Sequence, residues 1–475
     1  MQVVHAGVCG LSTVGQVGRL VRFGLAFPLA VVCLSACSIL PTEKRHTPAE
    51  IAAYQPADFV APIASAEGER AAREEGSKLI RDALALPAGF DPNGIVPGAL
   101  GNIGFLNVEK EAGLGLLLNT LPVLASKDAA YQRGVLTFAY TYYAKESAAP
   151  VMALLTSLNT PREFAIAAYA LLKADGAIGQ RSYIRATMKN AFSDWANEPR
   201  LQRLEYVLTT DLTAEIRQRP PLVDLLAHPI RTGKPVIYSF QRQDRQRFGL
   251  AVVRGADGRF VRNADGSLFH VAHLANAMSN LPGTITNGNT PQGLFTIVGA
   301  GTATNKWIGP TPYLHSKIPV EATVAEFEHV ETNQVPNSWN DGVYQSFLPE
   351  TWRQYVPFTE ALFAGRAGRD EMLIHGTTIN SNYYRGASFY PGTPSAGCLV
   401  AMETWRPDDG RQQTSDQLSL AKAFTRDGID RGYLVVVELD DRLEPVTLLD
   451  VKTSLDEAET RIMSQLGATR LSTNR

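Results

Sequence analysis

His375 and Cys398 lie 23 positions apart, each at the edge of an apolar run: Met372-Leu373-Ile374 before the histidine, Leu399-Val400-Ala401-Met402 after the cysteine. A cysteine attacks acyl carbonyls as the thiolate, so it needs a base or a positive field to shed its proton. Histidine suits that task because its ordinary pKa lies near neutral pH. A base at the end of a buried strand is held rigidly, Gly376 lets the chain turn behind it, and Gly397 permits close backbone approach before the thiol. The amides of Ala396, Gly397 and Cys398 could face a developing oxyanion. Ser395 either hydrogen-bonds there or closes the turn. Two strand ends joined by one loop would bring the pair together. The bland alternative is a buried cysteine acting as a small hydrophobe.

Cysteine usage bears on that choice. The chain has four: Cys9, Cys33, Cys37 and Cys398. Arg19 and Arg22 precede an uncharged apolar run from Phe23 to Val32 that is short for a bilayer span and ends in small residues, the pattern of a signal peptide over residues 1–36. Leu34-Ser35-Ala36-Cys37 resembles the bacterial lipoprotein box. That resemblance implies cleavage before Cys37 and its lipidation, which anchors a protein at a membrane without a spanning helix. Ser38 in the next position points to the outer membrane, on its periplasmic side. Cleavage would remove Cys9 and Cys33 and lipid would consume Cys37. Cys398 would then be a lone free thiol in an oxidising envelope compartment, and its presence there asks for a reason.

The elements that must position the pair follow from periodicity. With 475 residues the chain exceeds one ordinary core, and 45% hydrophobic with 19% charged residues is globular composition. A formal charge of −2 without a Lys/Arg cluster sets nucleic acid aside. Residues 37–65, with scattered prolines, read as a tether. Residues 66–230 repeat apolar positions at helical spacing, with Pro161 and Asp194 near helix starts and Gly176 near a stop. Nothing in that stretch names a role. From about 231 to 445 the runs "PVIYSF", "FGLAVVR", "GRFVRN", "GLFTIVG", "EMLIHGT" and "YLVVVELDD" are short strands bounded by turn residues. "HVAHLANAMSNL" reads as one helical interruption, with His270 and His273 on one amphipathic face and no third metal ligand nearby. Residues 446–475 read as a terminal helix. The expected fold class is multidomain α+β: an N-terminal all-α helical domain, then a β-rich catalytic domain.

The pattern "IHGT…S-x-G-C-L" is similar to the catalytic motif of the L,D-transpeptidases of the YkuD type, and "NGNTPQGLFTI" resembles their Thr-Pro-x-Gly-x-Phe segment. The resemblance covers residues 231–445 and implies a fold, a site and a substrate. Cys398 would be the nucleophile and His375 the base, acting on the L-centre of a diamino acid in a peptidoglycan stem peptide, with no metal or organic cofactor. The thioester would pass to an amine acceptor. The alternatives are hydrolysis by the same nucleophile, or a degenerate lipoprotein that binds cell-wall peptide without turnover. The sequence departs from the family at Ala396, where a second histidine is usual, and at Val400, where Arg or Asn is usual; the loop before Cys398 is also longer. Arg385, Tyr383 and Tyr384 on that loop are the candidates to handle substrate in their place.

Overall fold

The structure is a computed structural model that describes residues 44–175 and 178–473. The signal-like segment, Cys37 and Gly176 lie outside the described residues.

Apart from β1 (Arg45–His46), the strands lie after residue 235: β2 (Val236–Gln241), β3 (Gly249–Arg254), β4 (His270–Leu274), β5 (Gly293–Gly301), β6 (Tyr313–Lys317), β7 (Leu373–His375), β8 (Leu399–Ala401), β9 (Glu403–Trp405), β10 (Gln412–Ser415) and β11 (Gly432–Glu438). One sheet runs β1-β5-β11-β2-β3-β4-β8-β7-β6, and β5 pairs again with β6, so the sheet closes into a barrel-like ring. β11 with β2 and β7 with β8 are parallel; the other neighbours in the ring are antiparallel. Alternation along the strands serves two cores. Ile237, Leu434 and Val436 join Phe295, Ile374, Leu399 and the helix Asp416–Thr425. Tyr238, Phe240, Tyr433 and Val435 pack under the helices Leu222–Ala227 and Leu448–Thr473. The terminal helix docks there through Val451, Leu455, Ala458 and Ile462.

Several sequence expectations change. "GRFVRN" is not a strand but makes only isolated bridges, Arg254 with Phe260 and Arg262 with Leu268. "HVAHL" is β4, not helix, because it pairs with β3 on one side and β8 on the other, and that pairing overrides a helix-like spacing. Positions three apart in a strand face opposite ways, so His270 is exposed while His273 is buried. From residue 44 the expected tether is folded. β1 adds to the edge of β5, Thr47 and Glu50 form a capping box for the helix Pro48–Ala53, and Ile51 is fully buried in the sheet's core. The helical region is continuous with the rest. Its core of Leu100, Ile103, Leu117, Val135, Phe164 and Leu201 runs on into Leu274, Leu281, Ile285, Tyr383, Tyr384 and Phe389. Hydrogen bonds cross the same boundary, from Tyr140 Oη to the Asn280 carbonyl (2.9 Å) and from Asn107 Nδ2 to the Tyr383 carbonyl (2.8 Å). Of the two expected helix starts, Pro161 opens the helix Pro161–Asp175, whereas Asp194 precedes only a 3₁₀ turn.

Candidate active site

β7 and β8 place the cysteine and histidine by register. Ile374 lies opposite Leu399 and His375 opposite Val400. Alternation buries Ile374 and Leu399 in the sheet's core and turns Leu373, His375, Cys398 and Val400 to the other face. Cys398 and His375 are 4% and 5% exposed. The Leu373 amide donates to the Cys398 sulfur (3.4 Å), and the thiol points to the Glu371 carbonyl (3.7 Å). His375 Nδ1 bonds the Gly376 carbonyl. A carbonyl only accepts, so Nδ1 carries the proton and Nε2 is the basic nitrogen. Burial pushes the His375 pKa down, but its hydrogen bond with Cys398, the Cys398 charge, the Gly376 carbonyl and Glu403 together raise it above the usual value.

The turn before the thiol is closed by side chains. Ser395 Oγ accepts from the Gly397 amide (3.0 Å) and donates to the Cys398 carbonyl (2.8 Å). Ser395 is therefore turn chemistry, and the Gly397 N–H expected at an oxyanion is occupied by it. The turn is stitched to residues 276–290: Ser395 N donates to the Asn276 carbonyl (3.1 Å), Met278 N to the Ser395 carbonyl (2.8 Å), and Thr290 Oγ1 to the Gly397 carbonyl (2.9 Å). Gly397 has φ +121°, and a Cβ there would run into the Arg369 guanidinium and the Gly288 carbonyl. The "NGNTPQG" segment is thus a direct support of the nucleophile turn.

Behind the histidine stands Glu403. Its carboxylate accepts from the Thr377 amide (3.0 Å) and Ser415 Oγ (2.7 Å), and occupies the space a Cβ on Gly376 would need. Burial pushes its pKa up to about 7. His315 on β6 faces Leu373 and is kept neutral by burial, its pKa pushed down to about 4.

A cavity of about 80 Å³ opens onto Cys398 and His375, walled by Phe105, Met278, Trp307, Ile308, Ile379 and Pro394. Phe105 comes from the helix Val96–Leu106 and stacks edge-on to Trp307 at 4.8 Å between ring centroids. Ala396 and Val400 both line this cavity, so the two departures from the motif make its wall apolar. Tyr383 and Tyr384 do not line it. They are buried in the core shared with the helices, where Tyr383 packs against Phe105 and Arg73. Arg385 is exposed and bonds Asn382 Oδ1 (2.8 Å). The expected substrate role of these three is corrected accordingly: the loop bends them toward the helical region or solvent. Sequence reasoning did not name Phe105, Trp307, Arg369 or Glu403. None of the four carried a local signal in the sequence. Among the described residues no group of three or more His, Cys, Asp or Glu side chains is arranged to hold a metal ion.

No protein-family model matches the chain, and neither a curated protein nor a solved structure matches it.

Proposed function

We propose that the chain is a cysteine acyltransferase of the L,D-transpeptidase type, acting on peptidoglycan stem peptides from a lipid anchor at Cys37. The observation that carries this reading is that Cys398 and His375 share one face of two adjacent parallel strands and open onto the same cavity. In the proposed reaction the Cys398 thiolate attacks the carbonyl carbon at the L-centre of the diamino acid, and the π electrons move to oxygen. The amides of Ala396 and Cys398 are assigned to that oxyanion, since Gly397 N–H serves Ser395. Collapse breaks the C–N bond, and the departing D-amino acid takes the His375 proton. An acceptor amine then gives a proton to His375, adds to the thioester and releases the thiolate.

The largely apolar lining of the cavity favours transfer over hydrolysis, because apolar walls hold water poorly and so protect a thioester until an amine arrives. Incubation with defined tetrapeptide muropeptides, with and without acceptor amine, tests the reading by mass analysis. Cross-linked dimers that vanish in Cys398→Ser are the expected result. Tripeptides alone would favour the hydrolase, and unchanged input would leave only binding.

A further inference from the structure

We propose that Arg369 is a positioning residue for the nucleophile: its buried guanidinium pins the turn that presents Cys398 and supplies the fixed positive charge that favours the thiolate. Arg369 lies in the segment before β7 and is 4% exposed. Its donors go to backbone carbonyls, those of Gly283, Asn289 (2.8 Å) and Gly288 (3.0 Å), all on the stretch that cradles the nucleophile turn. The guanidinium rests against Gly397, where only a residue without a side chain fits.

Taking a cation out of water carries a large desolvation cost, and carbonyl dipoles offset only part of it. Burial pushes the Arg369 pKa down to about 10, which still leaves it charged at neutral pH; Glu360, Cys398, Asp370 and Glu321 act in the opposite direction. Of these four, Glu321 is itself raised to about 7 by burial, and Cys398 is the one whose charge a nucleophile needs. A thiolate there completes the compensation of the buried cation, and a fixed cation favours loss of the thiol proton. Ala396 and Val400 bring no charge to the cavity wall, so the field at the sulfur comes from His375 in front and Arg369 behind the turn. Titratable and charged groups around the pair are Asp370 and Glu371 on the segment of Arg369, Glu321 after β6, Glu360 on the helix Glu360–Arg366, the neutral His315 opposite Leu373, and Glu403 and the neutral His273 around His375.

The inference rests on Cys398 being a nucleophile but not on its acyl substrate. The experiment is the pH dependence of iodoacetamide alkylation, mapped to Cys398 by mass spectrometry, in the wild-type chain, Arg369→Met, Arg369→Lys and His375→Ala. A free cysteine titrates near about 8.5. The wild-type midpoint is expected well below that. Arg369→Met raises it by about one unit, so the rate at neutral pH falls about 10-fold, and Arg369→Lys restores most of the shift. His375→Ala keeps a midpoint below that of free cysteine because Arg369 remains. A folded Arg369→Met chain with the wild-type profile overturns the proposal. So does a His375→Ala chain that titrates as free cysteine, a result that decides the matter even where Arg369→Met fails to fold. Muropeptides left unchanged by a chain with the expected profile would remove the substrate reading and leave this inference standing.

Discussion

In the proposed site, Arg369 and Glu403 stand behind Cys398 and His375, and each is expected to set a different limb of one pH profile. Arg369 sits behind the thiol; Glu403 sits behind the imidazole. Burial pushes the Glu403 pKa up to about 7, and its negative charge is one of the influences that raise the His375 pKa. Its removal therefore lowers the His375 pKa. Glu403→Gln is expected to move the alkaline limb of Cys398 acylation down by up to about one pH unit and leave the acidic limb in place. Acylation rates by a thiol-reactive β-lactam across pH check this, and an unmoved alkaline limb sinks it. Cys398 and His375 were legible because their residue types and flanking glycines carry chemistry in the sequence itself. Arg369 was not, because Arg-Asp-Glu before an apolar run looks like any solvated turn, and only the fold shows the guanidinium turned inward. Glu403 lies five residues past the thiol in a short strand, where nothing local marks it.

At the scale of elements, three-residue strands do the positioning and a distant helix closes the site. The long β-branched runs behind β2, β3, β5 and β11 were plain in the sequence. β6 and β4 were not, because "YLHSK" and "HVAHL" mix polar and apolar residues, and pairing on both sides is what makes them strands. Phe105 was invisible for another reason: in a helix, one more aromatic on the apolar stripe reads as core. Its ring nevertheless forms the roof of the cavity with Trp307. Phe105→Leu keeps an apolar side chain but opens that roof. The expected outcome is a drop in cross-linked dimer relative to hydrolysed tripeptide in the muropeptide assay, at a stability cost of about 1 kcal/mol. An unchanged product ratio would remove Phe105 from water exclusion.

Across the whole molecule, the helical region and the sheet region share one apolar core. Residues 231–445 alone would expose Leu274, Leu281, Ile285, Tyr383, Tyr384 and Phe389, side chains now buried against helices. At about 1.5–3 kcal/mol each, their exposure costs on the order of 10 kcal/mol, as much as a domain's total stability. That fragment is therefore expected to be insoluble, whereas residues 44–475 yield a monodisperse species in size-exclusion chromatography; a soluble, folded fragment contradicts the shared core. The boundary drawn at residue 230 from sequence marked a real change of period, but periodicity cannot report that two segments share a core. Buried ionisable groups set a second global property. Glu321, Glu403 and Glu438 have pKa values pushed up to about 7 by burial, so below that pH they bind protons in the folded chain and not yet in the unfolded one. His273, at about 3, and His315 and His329, at about 4, do the reverse below 6.5. The carboxyl groups favour folding as pH falls and the histidines oppose it, so from about pH 6.5 to 4.5 the two sets cancel. Below that the unfolded carboxylates also protonate, and the histidine deficit is joined by carboxylates held low in the fold, Asp450 at about 2 among them. Thermal melts are expected to show a flat Tm over that window and a fall below it. A Tm that drops steadily from pH 6.5 contradicts the balance.

The two-residue strand β1 sets a leash. With the barrel edge stitched down at Arg45, only six residues separate Cys37 from Lys44, a reach of at most about 25 Å when fully extended. A lipidated chain would graze the layer of cell wall nearest its membrane and leave deeper layers untouched. A flexible spacer inserted after Ser38 should extend cross-linking to a wall layer held farther away, and an unaltered pattern would show that the leash does not set the range.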